Sequence, residues 1–396
     1  MAKSEIRLKG FEGEWDRKYL ADEVSFFSGL TYTPSNIRSM GTLVLRSSNV
    51  QEGEISLSDN VYVDPAIVYS PFVKKNDIIV VVRNGSRSLI GKHAQIKNEL
   101  PNTVIGAFMT GIRSSHPEFM NALLSSRSFD KEVEKNLGAT INQITNGTFR
   151  SMSFCFPHVK EQDDIGQYFK SLDSMIQGVK KKIASLKQMK QACLVSMFPQ
   201  EGETTPRVRF KGFKGEWIDS KLGEIFSERV ESNIDGEMLS VTMNNGIIKA
   251  SENGRFDNSN SDKSHYKVVK VNDIAYNSMR MWQGASGCSS YEGIVSPAYT
   301  VLTPADGIHS QFFAYMFKTL AMIKVFRLHS QGLTSDTWNL KYPAFSQIGV
   351  LYPKDINEQK QIAAFFRSLD SQISLQEQRL EKLKQIKSAC LDKMFV

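Results

Sequence analysis

The stretch EQDDIGQYFKSLDSMIQGVKKKIASLKQMKQACLVSMF, residues 161–198, decides how this chain is built. Apolar residues fall at Ile165, Phe169, Leu172, Ile176, Val179, Ile183 and Leu186, in alternating steps of four and three, with Lys180, Lys181, Lys182 and Lys187 between them. That spacing predicts one long helix with a heptad seam. The chain closes on a second copy, EQKQIAAFFRSLDSQISLQEQRLEKLKQIKSACLDKMF, residues 358–395, in which Ile362, Phe366, Leu369, Ile373, Leu380 and Leu383 take the matching places. Leu172 and Leu369, Cys193 and Cys390, and Met197 and Met394 all stand 197 residues apart, so the two copies share one register.

Working outward, IRLKGFEGEWDRKYL at 6–20 returns as VRFKGFKGEWIDSKL at 208–222, with Trp15 and Trp217 separated by 202 residues. The two offsets differ by five residues, which must sit in the material between opening segment and helix. The chain is therefore a tandem duplication of opening segment, variable body and long helix. Within the bodies, VKKNDIIVVV at 73–82 and VNDIAY at 271–276 read as turn residues feeding a buried strand. Further apolar segments at 104–109 and 298–302, helical stretches at 117–124 and 310–326, and last strands near 152–156 and 348–352 complete α+β bodies. Pro157 and Pro353 stop the last strands, and PQEGETTP at 199–206 is a linker by composition. The expected segments are 1–156 (first body), 157–203 (first helical segment), 204–352 (second body) and 353–396 (second helical segment).

A helix of about 37 residues is roughly 55 Å long, and its narrow apolar stripe needs a partner helix. The other copy is that partner. If each body's chain ends lie close together, the two helices run antiparallel. The expected fold class is α+β, with two α/β bodies at opposite ends of an antiparallel two-helix coiled coil, related by a pseudo-two-fold axis. The seam has flaws: Lys190 and Lys387 stand where an apolar residue belongs, and Gln376 matches Val179. A lone helix pair leaves apolar surface for partner helices. The candidates for docking them are Ile176, Val179, Ile183, Leu186 and Lys190 in the first copy, and Ile373, Gln376, Leu380, Leu383 and Lys387 in the second.

The 396 residues suit two or three domains, and 41% apolar with 23% charged residues is ordinary for a globular chain. No stretch approaches the ~20 apolar residues of a membrane helix, and residues 1–9 lack a signal-peptide core, so the expected location is the cytoplasm. Four scattered cysteines, Cys155, Cys193, Cys288 and Cys390, have no zinc or disulfide spacing and read as reduced packing residues. His93, His116, His158, His265, His309 and His329 have no ligand spacing, so no metal is expected. GSRSLIGKH at 85–93 imitates a phosphate-binding loop, but five residues separate its glycines and His93 replaces the magnesium-binding Ser or Thr. The Asn146-Gly147-Thr148 acceptor would go unused in the cytoplasm. No Asn-Pro-Pro-Tyr or Gly-x-Gly-x-x-Gly string marks methyl-donor chemistry, and nothing reads as an active site.

The net charge of +7 permits a polyanion partner without proving one. Its distribution says more. Arg83, Asn84, Arg87, Lys92 and His93 follow the strand of the first body, and Asn277, Arg280, Trp282 and Gln283 follow that of the second. Arg and Lys bond guanine edges and Asn and Gln bond adenine, so these residue types suit reading of duplex DNA, against the bland alternative of solvated polar loops. The polar loops 140–148 and 331–339 are second-rank candidates.

Two variable bodies alternating with helices that carry Glu161-Gln162 to Ile165, Leu172-Asp173, Leu186-Lys187-Gln188 and Met197-Phe198, and again Glu358-Gln359 to Ile362, Leu369-Asp370, Leu383-Lys384-Gln385 and Met394-Phe395, resemble the specificity subunit of type I restriction-modification systems. The resemblance covers the whole chain. It implies two target recognition domains, each reading half of a split DNA sequence, and an antiparallel helical spacer that docks two methyltransferase subunits, with restriction and translocase subunits joining for cleavage. It also implies that this chain is no enzyme and holds no cofactor, S-adenosylmethionine, ATP and Mg being bound by the partners. A self-sufficient DNA-modifying enzyme and a coiled-coil scaffold without DNA binding are the competing readings.

Overall fold

A computed structural model describes residues 4–137, 142–243, 245–253, 262–335 and 337–395. The chain divides into two compact units, Met1–Lys180 with Gln378–Val396, and Lys181–Glu377. The cuts fall inside both long helices rather than at their ends, so each unit owns a body, a little over half of one helix and the C-terminal part of the other.

In the first unit, strand β1 (Asp16–Tyr19) leads to β2 (Val24–Ser28), β3 (Ile78–Val81), β4 (His93–Gln95) and β5 (Met109–Ser114), which form an antiparallel sheet in the order β2-β5-β3-β4. All four residues of β3 are buried, which is why its sequence is an unbroken apolar run rather than an alternation. A second sheet pairs Thr103–Ile105, Thr42–Leu45, Val61–Val63 and Ile37–Arg38 around Leu30, Val44, Val63 and Val104. Helix α1 (Pro117–Leu124) covers the first sheet, β6 (Ser153–Phe156) pairs with β1, and α2 (Val159–Ser196) follows. At Gly166 a Cβ would stand 2.8 Å from the backbone nitrogen of Phe119, so only glycine lets α2 lie this close to α1.

The second unit repeats the plan. Strand β7 (Ile218–Lys221) pairs with β12 (Gly349–Tyr352), and β8 (Phe226–Glu228), β9 (Ile274–Asn277), β10 (Ser286–Cys288) and β11 (Tyr299–Pro304) form a sheet in the order β8-β11-β9-β10. The stretch 310–326 is two helices rather than the expected one, α3 (Ser310–Met316) and Leu320–His329. Thr319 breaks it, its side chain accepting the amide of Met322 as an N-cap. Helix α4 (Ile356–Met394) ends the chain.

Each unit is closed by the same two devices. The first is a buried fork. Arg7 donates to both oxygens of Glu161 at 2.6 Å, and Arg209 donates to both of Glu358 at 2.6 and 2.7 Å, with Glu161 and Glu358 at 0% and 1% exposure. The neighbouring amides, Gln162 and Gln359, donate to the carbonyls of Pro157 and Pro353. The second device is the tip of the other copy's helix. In the first unit Leu391, Met394 and Phe395 join the core, with Phe395 against Trp15, Phe119 and Phe169. In the second, Leu194, Met197 and Phe198 do the same, with Phe198 against Trp217, Phe312 and Phe366.

Within each unit the helix segments run antiparallel. In the first, Tyr168 meets Cys390 at 3.3 Å and Asp173 accepts from Lys387 at 2.6 Å; in the second, Glu377 pairs with Lys187 at 2.7 Å and Asp370 with Lys190 at 2.5 Å. This corrects the reading of the seam as a docking face. Ile176, Val179, Ile183, Leu186 and Ile373 are buried inside the chain, Gln376, Leu380 and Leu383 are half-buried, and Lys190 and Lys387 complete ion pairs with repeat-equivalent aspartates. The chain covers its own stripe. The large apolar side chains the helices leave exposed are Met175, Met189 and Val195 on α2 and Leu375 and Ile386 on α4, besides Val159 at the start of α2.

Removing Arg7 would leave the Glu161 carboxylate buried without a counter-charge, at a cost of about 3 kcal/mol. Arg7→Ala is expected to lower the unfolding midpoint by roughly 6–12 °C in calorimetry, and Arg209→Ala likewise. An unchanged midpoint in both variants would remove the fork from its structural role.

Candidate functional site

The candidate residues lie in loops that leave the same sheet position in each body. In the first, Val82 follows β3 and its carbonyl accepts the amide of Ile144, while Asn84 and Asn142 bond at 3.3 Å through the backbone and the Asn142 side chain donates to Gly85. Loop 83–92 is thus laced to the described part of loop 140–148; Thr140 and Ile141 lie outside the described residues. Arg83 is exposed and lies 5.0 Å over the ring of Phe108, itself 54% exposed. Arg87 and Lys92 are exposed as well. None of these three cations has an ion pair among the described residues. Asn84 is half-buried, donating to Ser47 at 3.0 Å and accepting the amide of Ser86, so it shapes the loop and offers little free edge.

His93 does not belong with them. It sits in β4 behind the loop, one ring nitrogen against the Gly91 carbonyl at 3.1 Å and the other against the Ser125 hydroxyl at 3.0 Å, its ring edge-on to Phe129. Desolvation lowers its pKa from the usual histidine value. As a β-strand residue it points to the core side, which the adjacency of Lys92 in sequence concealed.

In the second body, Arg280 and Gln283 are exposed on the loop after β9, and neither side chain has a hydrogen-bond partner among the described residues. Asn277 accepts the amide of Met279 and holds the turn. Trp282 donates to the Met279 carbonyl and stands edge-on to Trp338 at 5.2 Å, with Arg327 lying 5.1 Å over Trp338. Loop 331–339, of which Asp336 lies outside the described residues, is closed by the Gln331–Asn339 pair and tied to the first loop by the Leu340 amide and the Ser278 carbonyl at 2.8 Å. The first- and second-rank loops therefore form one surface in each body.

Sequence reasoning missed three participants. Phe108 and Trp338 are aromatic platforms whose role depends on which cation lies over them. Lys318 is a third: its ammonium donates to the carbonyls of Gly284 and Met243 and so ties the loop after β9 to the hairpin Leu239–Thr242 and Gly246–Lys249. Burial, with Lys190 nearby, pushes its pKa down to about 8. A lone lysine in the apolar run AYMFKTL at 314–320 was the one available signal. Among the described residues no group of three or more His, Cys, Asp or Glu side chains is placed to hold a metal ion, and no helix is long and apolar enough to cross a membrane.

The sequence model of the family described as type I restriction modification DNA specificity domain matches residues 35–188 and 214–385. Over 192 residues, 46% of this chain, the sequence is 25% identical to the type I restriction enzyme StySPI specificity subunit of Salmonella potsdam. Over 161 residues, 38% of the chain, it is 27% identical to the EcoKI specificity subunit of Escherichia coli strain K12. These matches span 41% and 34% of the two relatives' own lengths. The crystal structure of the type I restriction-modification S subunit from M. genitalium superposes with a TM-score of 0.65 at 16% identity, over 100% of this chain and 99% of that one, which establishes a shared fold.

The His93 pKa shift sets a pH dependence. A histidine whose folded pKa lies below its unfolded value of ~6.5 contributes fully above that pH and loses its contribution as pH falls below it. Stability is expected to decline as pH falls below about 6.5 in the native chain and less steeply in His93→Gln. Parallel declines in urea titrations of both proteins would show that other groups carry the effect.

Proposed function

Because the chain belongs to the type I restriction-modification DNA specificity family, we propose that it reads a split duplex DNA target, one half-site per body, with α2 and α4 setting the gap between the halves. The observation that carries this reading is that exposed side chains without ion pairs among the described residues, of types able to bond bases and phosphates, follow the same buried strand in both bodies: Arg83, Arg87 and Lys92 after β3, and Arg280 and Gln283 after β9. Exposed cations, with Arg83 over Phe108, suit phosphate contact and guanine edges, and Gln283 suits adenine. The different loops predict different half-sites.

The chain performs no chemistry in this reading. Two methyltransferase subunits bring S-adenosylmethionine, restriction and translocase subunits bring ATP and Mg, and assembly takes place in the cytoplasm. The methyltransferase subunits dock on the apolar side chains that the helices leave exposed, among them Met189 and Ile386, which are 197 residues apart and therefore repeat-equivalent.

Methylome sequencing of a host with and without this chain returns the split target directly. Exchanging residues 6–156 for those of another system is expected to change one half-site alone; a change in both halves refutes the division of labour. In retardation assays at several salt concentrations, Arg87→Ala and Lys92→Ala should weaken duplex binding for every sequence, each lowering the salt slope by about 1 if it contacts phosphate. Arg280→Ala and Gln283→Ala should instead relax specificity by about 1–3 kcal/mol at single positions of the second half-site. Methyl transfer by the isolated chain would establish the self-sufficient enzyme, and sequence-independent or absent DNA binding by the assembled complex would establish the scaffold.

A further inference from the structure

The first unit contains a cavity of about 270 Å³ between the turn before β3, strand β4, helix α1 and helix α2. It lies just below the range of roughly 300–1,000 Å³ of small-molecule sites. Two carboxamides on its wall lack partners. Gln95 is 7% exposed and its side chain makes no hydrogen bond with a described residue, and the side-chain oxygen of Asn121 is buried with none. A buried polar atom without a partner is unusual, and the Asn121 oxygen marks a place where something else supplies the bond, with the unbonded Gln95 amide on the same wall.

The same wall is cationic. Lys75 is exposed and unpaired among the described residues, whereas Lys170 pairs with Glu118 at 2.7 Å and Lys97 with Glu54 at 2.5 Å. Phe169 borders the cavity, and Asp173, held by Lys387, closes its helical side.

The second unit shows that the space is a feature of the first. Phe312 packs on Phe198 at 5.4 Å as Phe119 packs on Phe395 at 5.5 Å, which makes α3 and α1 equivalent and sets Tyr315 opposite Ala122. The Tyr315 ring lies 5.1 Å from Phe366, and its hydroxyl donates to Asp370 at 2.8 Å. Phe366 and Asp370 are the repeat equivalents of Phe169 and Asp173, so in the second unit a tyrosine covers the counterparts of two residues that line the cavity in the first. Opposite the equivalent strand residues Ile274 and Ile78, the second unit has Cys288 where the first has Gln95. The duplicated scaffold has thus exchanged a filled aromatic place for an open one lined with carboxamides and a free ammonium.

We propose that this cavity binds a small organic phosphate ester, with Lys75 holding the phosphate and Gln95 and Asn121 pairing with the hydrogen-bonding groups of its organic part. Nucleotides and sugar phosphates share this chemistry. A ligand there touches the body and α2 of the first unit at once. The site is separate from the loops proposed to read DNA, so its failure would leave that reading intact.

Isothermal titration of the full chain with AMP, ribose 5-phosphate, adenosine and inorganic phosphate tests it. At least one phosphate ester should bind about tenfold more tightly than both adenosine and inorganic phosphate. Lys75→Glu, a surface change that does not threaten folding, and Gln95→Leu should each weaken that ester about tenfold, while Arg87→Ala leaves it unchanged. A preference for AMP identifies the organic part as a nucleoside, and equal binding of the two esters identifies the sugar. No ester binding at millimolar concentration, inorganic phosphate binding as tightly as the esters, or full affinity in both Lys75→Glu and Gln95→Leu would overturn the proposal.

Discussion

Two carboxylates taken wholly out of water govern how this chain closes. Glu161 and Glu358 stand in the first turns of the two long helices, and each is tolerable there because a guanidinium from the opening segment, Arg7 or Arg209, meets both of its oxygens. The fork joins the start of each repeat to the start of its helix across the whole variable body. The five-residue difference between the bodies is absorbed inside this clamp. Bodies can therefore diverge in loop and surface while their two ends stay together.

The helix tips extend the same logic. Phe395 and Phe198 enter cores built around Trp15 and Trp217, and the amide of Val208 bonds the Ser196 carbonyl as those of Glu5 and Ile6 bond the Lys393 carbonyl. Each body is incomplete without the end of a helix from the other repeat. The repeated Met-Phe words are core residues, and the lysines that break the heptad seam neutralise Asp173 and Asp370. What reads as a flaw in a coiled coil is a charged register mark within each unit, since Lys190 and Lys387 pair only where the antiparallel stagger is correct.

Upon this common frame the two bodies have parted chemically. One carries Arg83 over Phe108 with Arg87 and Lys92 exposed on the same loop, the other Arg280, Gln283 and the Trp282–Trp338 pair, with Arg327 over Trp338. One leaves an open polar cavity where the other inserts Tyr315. Lys318, in the second body, joins the loop after β9 to a neighbouring hairpin by their carbonyls. The common frame tolerates such differences because its forks and helix tips lie apart from the loops that vary.

The sequence by itself determined the duplication, the long helices, the buried strands before the candidate loops and the family, because periodicity and repeated words are written along the chain and need no contact to be read. It also offered Arg83, Arg87, Lys92, Arg280 and Gln283 as candidates by their place after a strand. Tertiary structure alone decided which side chains are free. His93 looked like a loop residue and is bonded at both nitrogens, Asn84 is bonded to Ser47 and to its own turn, Asn277 holds its own turn, and Ile176, Val179, Ile183, Leu186 and Ile373 are covered by the chain itself. Whether a polar group is available depends on neighbours tens or hundreds of residues away, and desolvation and pairing with those neighbours are not functions of local sequence.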